Sequence, residues 1–136
     1  MIAKEELNIL WSLEQTAEKY ADRVAVSDVN QELTWKELVK KAQVIGAELS
    51  EKVQPGNPVP VLLEKSSETL AVMLGIVYAG CFYVPVNPMN PTERLRKIME
   101  KLDPEVIISD EKGKEQLAAI GNGLENKVMG PEALKT

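Results

Sequence analysis

The chain has no histidine and only one cysteine among its 136 residues. Without histidine it cannot assemble a Ser-His-Asp or Cys-His catalytic group of its own, and it has no imidazole to offer zinc. Cys81 has no partner in the chain for a disulfide, which fits a reducing compartment. It lies in an apolar run with no cation close in sequence to lower its pKa, so it is expected in the core. Positive charge is also scarce. Sixteen Lys and Arg stand against 21 Asp and Glu, a net charge of −5, which leaves little attraction for phosphate backbones or anionic lipid. Nucleic acid is not an expected partner. Phosphate-binding glycine loops are missing too: neither G-x-x-x-x-G-K nor G-x-G-x-x-G occurs, and Gly121-Asn122-Gly123 follows a helical pattern rather than a strand, which makes it a turn.

The opening segment MIAKEELNILWSLEQ mixes acids into its apolar residues, unlike a secretory signal, and a cytoplasmic location is expected. The run from Thr69 to Thr92 carries no charge and is long enough for a membrane-spanning helix. Its second half, however, holds Pro85, Pro88 and Pro91 with Asn87 and Asn90, which would break the backbone ladder and place amides in hydrocarbon. No membrane span is expected there. The run reads instead as a buried helix followed by a buried strand.

Elsewhere the pattern alternates between coiled and extended. Leu10, Leu13, Ala17 and Tyr20 share a helical stripe, predicting a first helix over roughly residues 4 to 20. Residues 23–27 and 32–34 flank Asp28-Val29-Asn30-Gln31 as a short hairpin, with Asn30 available for a positive φ. In LTWKEL, Thr34 and Glu37 have capping-box spacing, while Leu33 and Leu38 have that of a hydrophobic staple. The helix that follows buries Leu38, Ala42, Ile45 and Leu49 and leaves Lys36, Lys40, Lys41 and Glu48 to solvent. Residues 59–63 form a buried strand, with Pro60 near its start. Ser66 caps an apolar helix that Ala79-Gly80 ends, so that helix needs cover on several sides. A strand follows over residues 81–86. Asn90 is then expected to cap the next helix, with Pro91 at its first position and Glu93 closing a second box. Leu95, Ile98, Met99 and Leu102 form that helix's buried face, and Asp103-Pro104 stops it. A strand at 106–109, a helix near 111–120 capped by Asp110 and ended by Gly121, and a short strand near 126–129 complete the pattern.

This order predicts an α/β fold: a mostly parallel sheet with helices on both faces, preceded by an N-terminal helix and a short hairpin. A single domain spanning residues 1–136 is expected. Ligands of such sheets gather at the carboxyl ends of the strands, where Glu64 and Asp110 stand as separated carboxylates, without the paired acids that would suit magnesium.

Two segments carry a family resemblance. LTWKEL resembles the first conserved segment of AMP-forming acyl and aminoacyl ligases, usually L-T-Y-x-E-L. YAGCFYVPVNPMNPTERL resembles that family's K-A-G-x-x-Y-V-P-x-D-P-x-x-P-x-E-R-L, agreeing at Ala79, Gly80, Tyr83, Val84, Pro85, Pro88, Pro91, Glu93, Arg94 and Leu95. The order and spacing of the two segments agree with the family, as do VLLEKSSE before the second and EVIISD after it. Tyr78 replaces a usual Lys, Cys81 a Gly or Ala, and Asn87 an Asp, a change expected to weaken a loop network that a carboxylate would satisfy better.

The resemblance implies an N-terminal fragment of an adenylate-forming enzyme, either a peptide-synthetase adenylation domain or a relative of the acyl-CoA synthetases. Such an enzyme activates a carboxylic or amino acid with ATP and magnesium and passes it to the thiol of coenzyme A or of carrier-protein phosphopantetheine. In relatives the Ser/Thr/Gly-rich phosphate loop, ribose-binding Asp and catalytic Lys lie downstream of the segments matched here. No residue of this chain is therefore expected to be catalytic, cofactor-binding or metal-ligating. The expected partner is the remainder of the ligase domain, in the same or a separate chain, and the fragment alone is expected to be inactive. Amino acids on a carrier protein are favoured over fatty acids on coenzyme A. The alternative is a freestanding, non-catalytic assembly module that self-associates or pairs with another polypeptide. An unrelated flavodoxin-like ligand binder is the third option.

Overall fold

A computed structural model describes residues 9–64, 66–87 and 89–130. Helix α1 (Ile9–Lys19) precedes an antiparallel hairpin of β1 (Val24–Ser27) and β2 (Glu32–Thr34). Next come α2 (Trp35–Ser50), β3 (Pro58–Leu62), α3 (Ser67–Tyr78), β4 (Phe82–Pro85), α4 (Thr92–Leu102), β5 (Ile107–Ser109) and α5 (Glu111–Ile120). A 3-10 turn over Leu124–Lys127 leads into β6 (Val128–Met129). The part of the expected first helix at residues 4–8 lies outside the described residues.

The main sheet is parallel, in the order β4-β3-β5-β6. Its central strands, β3 and β5, are buried on both faces because alternate residues feed two cores. Val59, Val61 and Ile108 pack with Leu38, Ala42, Ile45 and Leu49 of α2 and with Ala71, Val72 and Ile76 of α3. Leu62 and Ile107 point the other way, into a core with Leu95 and Met99 of α4 and Leu117 of α5. The expected α/β architecture, with helices on both faces, is what forms. Helix α3 finds cover within the chain, against the sheet and α2, which bury Ala71, Val72 and Ile76, while Leu70, Met73 and Val77 stay half-buried. The uncharged run that could have spanned a membrane is divided among α3, β4 and the loop after it, and no helix of the described residues is long and apolar enough to cross a membrane.

Close approach of α2 and α3 depends on two glycines. A Cβ on Gly75 would lie 2.5 Å from Ile45 Cγ2, and one on Gly46 would lie 2.6 Å from Tyr78 Cβ. The strand prolines are placed by hydrogen-bond alternation. Phe82 N–H donates to Asn57 and Val86 N–H to Val61, so along β4 the even positions face β3 and Tyr83 and Pro85 face the open edge. Pro85 thus removes one donor from an edge where Phe82 and Tyr83 are exposed. Within β3 the same alternation turns Pro60 toward β5, whose pairing begins only at Val61.

The local signals near Thr34 hold as expected. Thr34 Oγ1 accepts from Glu37 N–H at 3.2 Å, and Glu37 Oε1 accepts from Thr34 N–H at 2.9 Å. Gly80 takes a φ of +81° after α3. Four expectations fail. The strand after α3, expected to be buried, ends the sheet of the described residues, with Phe82, Tyr83 and Pro85 exposed. Asn30 does not take a positive φ; the turn is closed instead by the Asp28 carboxylate, which accepts from the Asn30 and Gln31 amides. Asn90 does not cap α4: the N-cap is Pro91 with no side-chain hydrogen bond, and Glu93 pairs with Arg96 rather than closing a box. Tyr20 leaves the α1 stripe and lies exposed, with the Arg23 guanidinium 4.9 Å from its ring centre.

Candidate functional site

The chain leaves β3 toward one edge of the sheet and leaves β5 toward the other, and at such a reversal the loops beyond the carboxyl ends diverge and open a crevice. A cavity of about 700 Å³ lies there, lined by residues that follow β3, β4 and β5. Its apolar surface comes from Val61, Leu63, Leu70, Met73, Val86 and Met89, and its polar groups are Glu64, Ser66, Thr69, Asn87, Asp110 and Lys112. The size and the mostly apolar lining are those of a small-molecule or peptide cleft.

Each loop around the crevice is held by a short-range cap. After β3, Ser66 adopts extended φ and ψ and its Oγ accepts from Thr69 N–H at 3.1 Å. Thr69 Oγ1 donates in turn to the Glu64 carbonyl. After β4, Asn87 Oδ1 accepts from Met89 N–H at 2.9 Å, so the amide supplies the acceptor that a carboxylate would have supplied. After β5, Asp110 Oδ1 accepts from Gly113 N–H at 2.8 Å, confirming it as a helix cap. Gly113 is close enough to Ser109 Oγ that a side chain there would displace the hydroxyl.

One group reaches this region from far away in sequence. Ser67, the first residue of α3, is fully buried, and both its N–H and its Oγ–H donate to Asp28 Oδ2, at 2.7 and 2.8 Å. Asp28 Oδ1 accepts from Asn30 N–H at 2.8 Å and from Gln31 N–H at 2.9 Å. The Ser67 backbone N–H, then the Ser67 hydroxyl and the two hairpin amides, hold the Asp28 carboxyl far below the usual carboxylate range. Sequence reasoning treated Asp28 only as a turn residue. Nothing within its own segment signals a partner across the fold.

Glu64 and Asp110, separate in sequence, line the same crevice, yet one Asp110 oxygen is already committed to its cap. Among the described residues no group of three or more His, Cys, Asp and Glu could hold a metal ion. Cys81 is buried and contacts the Gln54 carbonyl at 3.4 Å, and burial pushes its thiol pKa up, as suits a core residue. Tyr78, where the family resemblance leads one to expect Lys, donates from its hydroxyl to Glu14 at 2.7 Å and so ties α3 to α1.

These features define a doubly wound α/β unit whose candidate site lies at the carboxyl edge of a parallel sheet. Residues 13–131 match the family described as AMP-binding enzyme, and the chain belongs to that family, as an N-terminal part of an adenylate-forming enzyme. Bacitracin synthase 1 of Bacillus licheniformis is 37% identical over 107 residues, which cover 78% of this chain and 2% of that protein. Tyrocidine synthase 1 of Brevibacillus parabrevis is 31% identical over 122 residues, covering 89% of this chain and 11% of that protein. The chain therefore spans only a small part of these curated relatives. Among solved structures, that of VinN superposes with a TM-score of 0.84 at 26% identity, covering 93% of this chain and 32% of that one. The AMPPNP-bound form of the nonribosomal peptide synthetase FmoA3 superposes with a TM-score of 0.78 at 25% identity, covering 93% of this chain and 13% of that one.

Proposed function

We propose that residues 1–136 form one structural unit of an ATP-dependent ligase that activates an amino or other carboxylic acid as its adenylate and passes it to a pantetheine thiol. The unit serves as scaffold and has no catalysis of its own. Family membership and the peptide-synthetase relatives support the reaction class, an amino acid as the substrate and a carrier-protein thiol over coenzyme A as the acceptor. ATP and magnesium would be the activating pair, the remainder of the ligase domain the partner, and the cytoplasm the location.

One observation supports the scaffold role above all. A helix N-terminus offers orphan amides to an anion, but at both helices that start at this crevice some of those amides are already in use. At α3, Ser67 N–H is taken by Asp28 and Thr69 N–H by Ser66; at α5, Gly113 N–H is taken by Asp110. The lining is otherwise mostly apolar, with exposed carboxylates at Glu64 and Asp110 and a cation at Lys112. A triphosphate does not suit this set, so the nucleotide seat belongs to the rest of the ligase.

The test is amino-acid-dependent ATP–pyrophosphate exchange, run on the chain alone and on a mixture with the remaining portion of an adenylation domain. The expected result is no exchange by the chain alone and exchange only in the mixture. Robust exchange by the chain alone would refute the scaffold role.

A further inference from the structure

We propose that Asp28 is a positioning residue for the crevice: from the β1–β2 hairpin it holds the start of α3, and through α3 the rim formed by Glu64, Ser66 and Thr69. The inference rests on the crevice being the functional edge of the unit, but its test needs no ligase activity.

The first turn of any helix leaves amides without intrahelical partners. In α3 two of them are satisfied, from two sources. Ser66 serves Thr69 locally, as an N-cap residue does. Ser67 N–H is served instead by a carboxylate 39 residues earlier in the chain, and the Ser67 hydroxyl donates to the same oxygen. A local cap can hold only its own turn. The Asp28 carboxylate also accepts from Asn30 and Gln31, so hairpin and helix start share one rigid acceptor. Ser67 sits between the rim residues Ser66 and Thr69, and Thr69 Oγ1 extends the connection to the Glu64 carbonyl. A displacement of the hairpin is therefore transmitted to the crevice wall without passing through the apolar core.

A cap that contributed only global stability would affect all parts of the fold alike, whereas a positioning residue affects one wall. The 136-residue chain labelled at its methionine methyl groups separates the two, because Met73 lines the crevice while Met99 lies in the core on the other sheet face. In Asp28→Ala the Met73 resonance should shift and the Ser67 amide should exchange at least about tenfold faster, the scale of one lost charge-assisted hydrogen bond. Met99 should keep its resonance. Ser67→Ala, which retains the backbone bond to Asp28 and loses only the hydroxyl bond, should shift Met73 in the same direction by less, and it supplies the answer should Asp28→Ala fail to fold. An unmoved Met73, or equal shifts at Met73 and Met99, would overturn the proposal.

Discussion

Ile45 and Gly75 meet where α2 crosses α3, and the space between them has no room for another carbon: a Cβ on Gly75 would approach Ile45 Cγ2 to 2.5 Å and the Ala42 carbonyl oxygen to 3.0 Å. Ile45 is 1% exposed and belongs to the larger core, so it cannot move aside without repacking. Gly75→Ala should cost roughly 1–3 kcal/mol, as overpacked cores do. Helix propensity alone would make the same change favourable. A urea-unfolding midpoint no lower than that of the unmodified chain would show that the two helices can separate at little cost.

The capping box at the start of α2 gives a second prediction. Thr34→Ala removes the acceptor of the Glu37 amide and should destabilise the chain by about 1 kcal/mol. The backbone N–H of Thr34, then its hydroxyl, hold the Glu37 carboxyl below its usual range. Glu37 therefore contributes stability above the ordinary carboxylate range, and the contribution is lost as pH falls through its lowered folded value. Unfolding of Glu37→Gln should accordingly show a shallower acid dependence; a slope equal to that of the parent chain would contradict the box.

Asp28 should dominate the acid limb of stability. Its folded pKa is depressed, with the Ser67 amide the largest cause, so the stabilisation is complete above its unfolded value of 3.8 and fades as pH falls below that value. The stability difference between the parent chain and Asp28→Asn should be largest near about pH 6 and shrink by about pH 2. A difference that stays constant across this range would mean that the carboxylate charge is not what Ser67 and the hairpin amides recognise.

How far the fold could be read beforehand follows the reach of each interaction. The groups of the box at Thr34, the cap at Asp110 and the turn at Gly80 all lie within a few residues of one another, so spacing alone reveals them. Asn90 misled because a proline can itself occupy the N-cap: Pro91 needs no donor, its carbonyl accepts from Leu95, and the helix starts at Thr92. The link between Asp28 and Ser67 left no local trace, since only the packing of the hairpin against α3 brings the two together. The crevice was legible as a rule about strand ends, but its lining was not, because three loops from distant parts of the chain contribute to it. Cover for α3 was likewise underestimated: the close α2–α3 crossing at Gly46 and Gly75 seals a face that composition alone leaves open.

Tyr78 gives a prediction at high pH. Burial, then the hydrogen bond to Glu14 and the charge of that carboxylate, push its phenol up to about 12. A raised folded pKa means that the bond stabilises the chain below the ordinary phenol value and that this contribution is lost as pH rises through the folded value. Absorbance titration should show one of the three tyrosines ionising last. That last step should vanish in Tyr78→Phe and move down in Glu14→Gln. A titration curve left unchanged by Glu14→Gln would contradict the tie between α1 and α3.

The most direct test of the central claim is equilibrium titration of the 136-residue chain with magnesium-ATP, followed by amide chemical shifts. A scaffold in which the Ser67, Thr69 and Gly113 amides are already capped should show no saturable shift at any of them up to millimolar nucleotide. Saturable shifts at those amides would place a nucleotide seat within this chain and contradict the account.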